Sequence, residues 1–111
     1  MYTDVVEDLD SKIRDLSNLD RVSLIRELIR MDAGYQHHYR IGRRAQLGSM
    51  ERYRGDEAHA HSERLGRIIY FLRFRIPAEY ATAEDTKLCK ELAEKFQAKG
   101  QWTGTIQSEA G

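Results

Sequence analysis

Apolar residues recur at three- and four-residue spacing along nearly the whole chain, the period of a helix face turned toward a core. Val5, Val6, Leu9, Ile13 and Leu16 mark a first helix, with Thr3 or Asp4 placed to cap its start. Ser17-Asn18 breaks that run. Asp20 can cap a second helix carrying Val22, Ile25, Leu28 and Ile29, and the pattern continues through Tyr35 and Tyr39 toward Leu47. Such a helix would be roughly 40 Å long at 1.5 Å per residue. Gly34 and Gly42 each cost about 1 kcal/mol inside it, which allows a kink or an earlier end.

Gly48-Ser49 marks a turn. A third helix starts either at Ser49 or, after Gly55, at Asp56, and carries Leu65, Ile68, Ile69, Phe71 and Leu72. Ile76-Pro77 ends it, because the residue before proline is driven out of helical geometry. Thr82 caps a fourth helix, where Glu84 and Asp85 suit the N-terminal dipole. Leu88, Cys89, Leu92, Ala93 and Phe96 form its apolar stripe, and Gly100 stops it. No alternating run bounded by tight-turn residues competes for a strand. The pattern therefore predicts an all-α protein, an antiparallel four-helix bundle built on a long central helical hairpin. Residues 1–100 form one domain and 101–111 a flexible tail, of which only Trp102 is expected to pack back.

Polar residues interrupt the two long stripes. One runs through 25, 28, 32, 35, 39 and 42, the other through 50, 53, 57, 61, 65, 68 and 72. With the hairpin turning near 47–48, residues whose numbers sum to about 95 face each other, counting one for one across an antiparallel pair. Asp32, Tyr35, Tyr39, Glu57, His61 and Arg64 are thereby expected to gather in one interior polar cluster. Buried charges must be paired or hydrogen-bonded, so a network fixing helix register is the plainer reading. The alternative is a metal site around Asp32, Glu57 and His61, since bundles of the ferritin-like class hold metal with inward carboxylates and imidazoles. This chain carries only Asp56-x-x-His59 and no second copy of that motif. His37 and His38 point about 100° apart on a helix, and His59 and His61 about 200° apart, so neither pair chelates one ion.

Composition narrows the class further. The 111 residues include 18 Lys+Arg and 18 Asp+Glu but one Cys, one Pro and one Trp. One cysteine excludes a disulfide framework or a thiolate zinc cluster. No apolar run approaches the ~20 residues of a membrane span, and the acidic start MYTDVVEDLD resembles neither a signal nor a transit peptide. A cytoplasmic protein of bacterial or phage type with no membrane contact is the expectation.

The balanced charge conceals a segregation. Residues 1–20 hold six acids and two bases, residues 36–75 nine Arg and four acids, and residues 76–111 four Lys and six acids. Every basic residue from 21 to 75 is Arg, whose planar fork suits bidentate or stacked contacts. Arg40, Arg43, Arg44, Arg52 and Arg54 cluster around the expected turn, interleaved with Tyr39 and Tyr53. This chemistry fits an acidic protein partner or phosphate and bases, unless the acidic first helix covers it.

Arg54-Gly55-Asp56-Glu57-Ala58-His59 also shows the Arg-x4-His spacing that resembles helical ribonucleases of the HEPN type. That resemblance implies RNA cleavage across a dimer interface, with Arg54 gripping phosphate and His59 assisting attack by the 2′-hydroxyl. It covers six residues, two of which specify it, and Gly55 stands where the family usually carries a polar residue. No phosphate-binding loop, dinucleotide fingerprint, nucleophile elbow or His-Glu-x-x-His motif is present, and no cofactor is expected.

The sequence thus points to a small helical binding or regulatory protein of adaptor, inhibitor or immunity type. It would work through the Arg/Tyr hairpin tip, with a protein partner or a second copy of itself. Nucleic-acid binding, the Arg54/His59 ribonuclease and the metal site are the alternatives.

Overall fold

The computed structural model describes residues 9–74 and 82–102. Among them 83% are helical, in four helices with no strand: α1 (Leu9–Leu16), α2 (Arg21–Arg43), α3 (Met50–Phe74) and α4 (Ala83–Ala98). The long helices α2 and α3 pack closely as an antiparallel hairpin, and α4 packs on α3. Val5, Val6, the Ile76-Pro77 stop and the tail beyond Trp102 lie outside the described residues.

Local chemistry sets the helix ends. Asp20 caps α2, its carboxylate accepting from the Ser23 N–H at 2.7 Å. Thr82 caps α4 by accepting from the Asp85 N–H at 3.0 Å. Ser49 decides the open question at α3: its hydroxyl accepts from the Arg52 N–H at 3.2 Å, so the helix starts at Met50 and not after Gly55. Gly48 supplies the left-handed turn before it, with φ +83°. At the end of α4, Gly100 (φ +77°) closes a Schellman turn in which the Gln101 N–H reaches the Phe96 carbonyl at 2.7 Å. α2 runs unbroken through Gly34 and Gly42 and stops at Arg43, short of Leu47.

The core occupies one half of the hairpin. Leu24 and Leu28 from α2 meet Leu65, Ile68, Ile69, Phe71 and Leu72 from α3. Leu9 and Ile13 of α1, the α4 stripe from Leu88 to Phe96, and Trp102 complete it. Each such aliphatic or aromatic side chain contributes about 1.5–3 kcal/mol on burial. Trp102 packs on Phe71 with ring centroids 5.4 Å apart, and the Arg21 guanidinium covers it. Gln101 joins this end by accepting from the Arg21 N–H at 2.9 Å. We call this the root.

Toward the turn the core ends. In α2 beyond Leu28 only Gly42 is buried, and in α3 before Leu65 only Gly55 and Ala58. Met50 and Tyr53, placed on the inner stripe by spacing, are exposed instead. The reason is a backbone contact: a Cβ on Gly42 would lie 2.7 Å from the Gly55 Cα, and one on Gly55 would lie 2.8 Å from the Gly42 Cα. Two helices this close leave no room between them for the larger side chains, so those turn outward.

The same substitution has opposite effects along one hairpin. Gly42→Ala and Gly55→Ala force backbone apart and are expected to cost about 1–3 kcal/mol, as overpacking does. Gly34→Ala and Gly66→Ala meet no atom within 4 Å on exposed helix and are expected to gain up to about 1 kcal/mol. Denaturant unfolding of the four variants checks both signs.

Candidate functional site

The Arg/Tyr surface around the turn is the first candidate. Arg40, Arg43 and Arg44 are exposed and line one open hollow. Residues 40, 43 and 44 share one face of α2 and its cap, so their guanidiniums add up instead of dispersing. Arg43 lies over the Tyr39 ring at 5.8 Å, and Tyr39 stacks on His59 of α3 with centroids 4.3 Å apart. His59 in turn meets Glu63 at 3.6 Å. Arg52 is half-buried at the start of α3, and Tyr53 and Arg54 are exposed. None of Arg40, Arg43, Arg44 and Arg52 has a described carboxylate within ion-pair distance, 4.0 Å.

Exposed apolar side chains accompany these cations. Leu47 at the turn is 80% exposed, and Ile41, Met50 and Tyr53 are also on the surface. Sequence spacing assigned Met50 to the interior and set Tyr53 both on the inner stripe and among the tip residues; the structure exposes both.

Four arginines at the root and on the α1/α4 side have described partners within the chain, whereas Arg26 and Arg73 there are exposed. Arg21 donates to the Leu72 carbonyl at 2.6 Å, and Arg14 meets Glu91 at 3.4 Å. Arg67 donates through Nε to Asp85 at 2.7 Å, and Arg64 binds both Asp85 and Asp10. Asp85 is 1% exposed, so it joins α4 to α3 from within, and Arg64 carries the connection to α1. The sequence reading gave Asp85 a role in the helix dipole only. Its signal was its place three and four residues before Leu88 and Cys89, on the same buried face.

The expected polar cluster divides into separate contacts. Asp32 accepts from the Ser62 hydroxyl at 2.5 Å and from the Gln36 amide at 3.0 Å. Tyr35 meets His61 with centroids 5.0 Å apart on the other flank of the crossing. Glu57 is half-buried, and Arg64 is drawn away to Asp85 and Asp10. Facing residues are 32 with 62, 35 with 61, 39 with 59 and 42 with 55, so Asp32 meets the expected stretch of α3 while Tyr39 lies two residues past the expected 56–57. Among the described residues no group of three or more His, Cys, Asp and Glu could hold a metal ion. Cys89 is buried in the core, and burial pushes its thiol up to about 12, leaving it a packing residue.

Arg54 and His59 do not converge within one chain. Five residues on a helix separate them by about 140°. Arg54 lines a hollow with Lys12, Tyr35, His38 and Ala58, whereas His59 lies against Tyr39.

No protein-family model matches the chain, and no curated protein or solved structure matches it. No helix among the described residues is long and apolar enough to cross a membrane.

Burial alone would raise the Asp85 carboxyl, but hydrogen bonds from Arg64 and Arg67 outweigh it and hold the group below its ordinary value. A carboxyl lowered in the folded state stabilises fully above its unfolded pKa, near 3.8, and that stability is lost as pH falls through the lower folded value. Asp85→Asn removes one partner of a buried ion pair and is expected to cost about 3–5 kcal/mol at neutral pH. Melting curves across the acid range check it: the gap between wild type and variant should narrow below pH 3.8.

Proposed function

We propose that the protein is a small helical adaptor or inhibitor that binds an acidic protein surface through the hairpin tip. The observation that carries this reading is the mixture presented there: Arg40, Arg43 and Arg44 without a described ion-pair partner, beside exposed Leu47, Met50 and Tyr53. Arginine, tyrosine and methionine are enriched where protein surfaces meet, because they bring apolar area together with directed donors. A site for nucleic-acid backbone alone has no use for an 80% exposed leucine at its apex. Arg43 held over Tyr39 also presents its fork from a fixed base, so less freedom is lost on binding.

Self-association is a second reading, favoured by a different observation at the root. Val22, Ile25 and Phe74 line a surface hollow with Arg21 and Arg73, and Tyr70 lies beside Phe74 at 4.8 Å. Apolar surface of this kind can meet a second copy of the chain. Sedimentation at several concentrations separates the two readings. A dimer that dissociates in Val22→Glu supports the root as a self-contact, and a monomer throughout removes it.

For the tip, fluorescence anisotropy with a labelled poly-glutamate peptide and a labelled poly-uridine strand is the test. The peptide is expected to bind more tightly than the strand, to weaken with salt, and to lose at least about tenfold in affinity in Arg43→Glu/Arg44→Glu. Equal peptide affinity in wild type and variant would remove the tip as the contact surface. A strand that binds more tightly than the peptide would overturn the protein-partner reading.

A further inference from the structure

A second site lies on the flank of the hairpin away from the Tyr39–His59 stack. Three helices meet there around a hollow of about 240 Å³ lined by Lys12 of α1, Tyr35 and His38 of α2, and Arg54 and Ala58 of α3. The Gly42–Gly55 contact sets its width. It brings the His38 carbonyl within 3.3 Å of where a Gly55 Cβ would sit, which places His38 level with Arg54. Ala58 is buried beside them, and its small side chain keeps the floor open.

The described lining residues are basic or neutral. Lys12 and Arg54 bring fixed positive charge, and His38 and Tyr35 add donors from ring nitrogen and phenol. No carboxylate is among the described lining residues. The rest of the described lining is apolar: the Tyr35 ring, the Ala58 methyl and the aliphatic stems of Lys12 and Arg54. Contact with His61, centroids 5.0 Å apart, supports the Tyr35 ring from behind. An ammonium, a guanidinium and an imidazole on the lining of one hollow suit a dianionic oxyanion, and charge-assisted bonds of this kind are the strong ones. The adjoining ring and methyl match a flat organic group attached to it.

We propose that this hollow binds a small phosphomonoester, with Lys12, His38 and Arg54 on the phosphate and Tyr35 against the organic part. The hollow adjoins the tip surface through Arg54 but does not involve Arg40, Arg43 or Arg44. A ligand here bridges α1 to the hairpin, so its binding also stabilises the fold by mass action.

Isothermal titration calorimetry with adenosine monophosphate, inorganic phosphate and adenosine tests it. The monophosphate is expected to bind saturably and most tightly, phosphate more weakly, and adenosine not detectably. Lys12→Met and Arg54→Met keep the apolar stems while removing the charges, and each is expected to lower monophosphate affinity at least about tenfold. Arg43→Ala/Arg44→Ala, which alters only the tip, is expected to leave it unchanged. Circular dichroism establishes that each variant is folded, and two charge variants guard against the loss of one.

Absence of saturable binding overturns the site. Adenosine binding as tightly as the monophosphate overturns the phosphate assignment, and equal affinities for phosphate and monophosphate overturn the role given to Tyr35. Weakening in the tip variant with none in Lys12→Met and Arg54→Met would move the anion to the arginines of the tip.

Discussion

The contact of Gly42 with Gly55 is the constraint on which the outer half of this molecule depends. With backbones this close, no large side chain fits between α2 and α3 near the turn; large side chains are fully buried only up to Leu28 and from Leu65, with Met31 and Tyr35 half-buried against that core. What remains beyond is the outer part of the hairpin, held by Asp32–Ser62, Tyr35–His61 and Tyr39–His59, with Lys12 of α1 reaching its flank. Its large residues, Leu47, Met50 and Tyr53, face outward together with the arginines. An apolar core in the same place would have drawn these side chains inward. The glycine pair therefore exchanges local core stability for a surface that carries both charge and apolar area.

The root compensates for that loss. Fourteen buried apolar residues from all four helices, together with Trp102, form its core, and Asp85 adds a polar anchor within it. Arg64 and Arg67 neutralise Asp85 on α4, and Arg64 extends the network to Asp10 on α1. Such a network adds little net energy over apolar packing, yet losing one member leaves an unpaired buried charge. Its contribution is to fix how α1 and α4 sit against the hairpin. The position of α1 brings Lys12 to the hollow beside Tyr35, His38 and Arg54. The charge segregation along the chain acquires a structural meaning here, as Arg64 and Arg67 are spent inside while Arg40, Arg43 and Arg44 remain outside.

The helices and their caps were legible because period and capping are local. Asp20 and Thr82 each act on backbone three residues away, and Leu24, Leu65 and Phe96 follow a repeat that survives without tertiary information. The facing register was legible too, since a hairpin turn fixes which numbers oppose. The fate of the polar residues was not. Arg64 entered the supposed cluster because the hairpin register sets it opposite Asp32, but its partners come from α1 and α4, whose placement no helical period encodes. Gly42 read as a cost within its helix, and only its pairing with Gly55 shows why it sits there. Two glycines whose numbers sum close to 95 were the available signal.

The central claim is that the tip, and not the root, is the surface presented to an acidic partner. Backbone amide chemical-shift mapping during titration with a poly-glutamate peptide tests it most directly, because it locates binding residue by residue. Perturbations are expected to concentrate between residues 39 and 54 and to fade with added salt, while amides from 65 to 72 stay fixed. Perturbations centred on the root around Val22 and Phe74, with the tip silent, would contradict it.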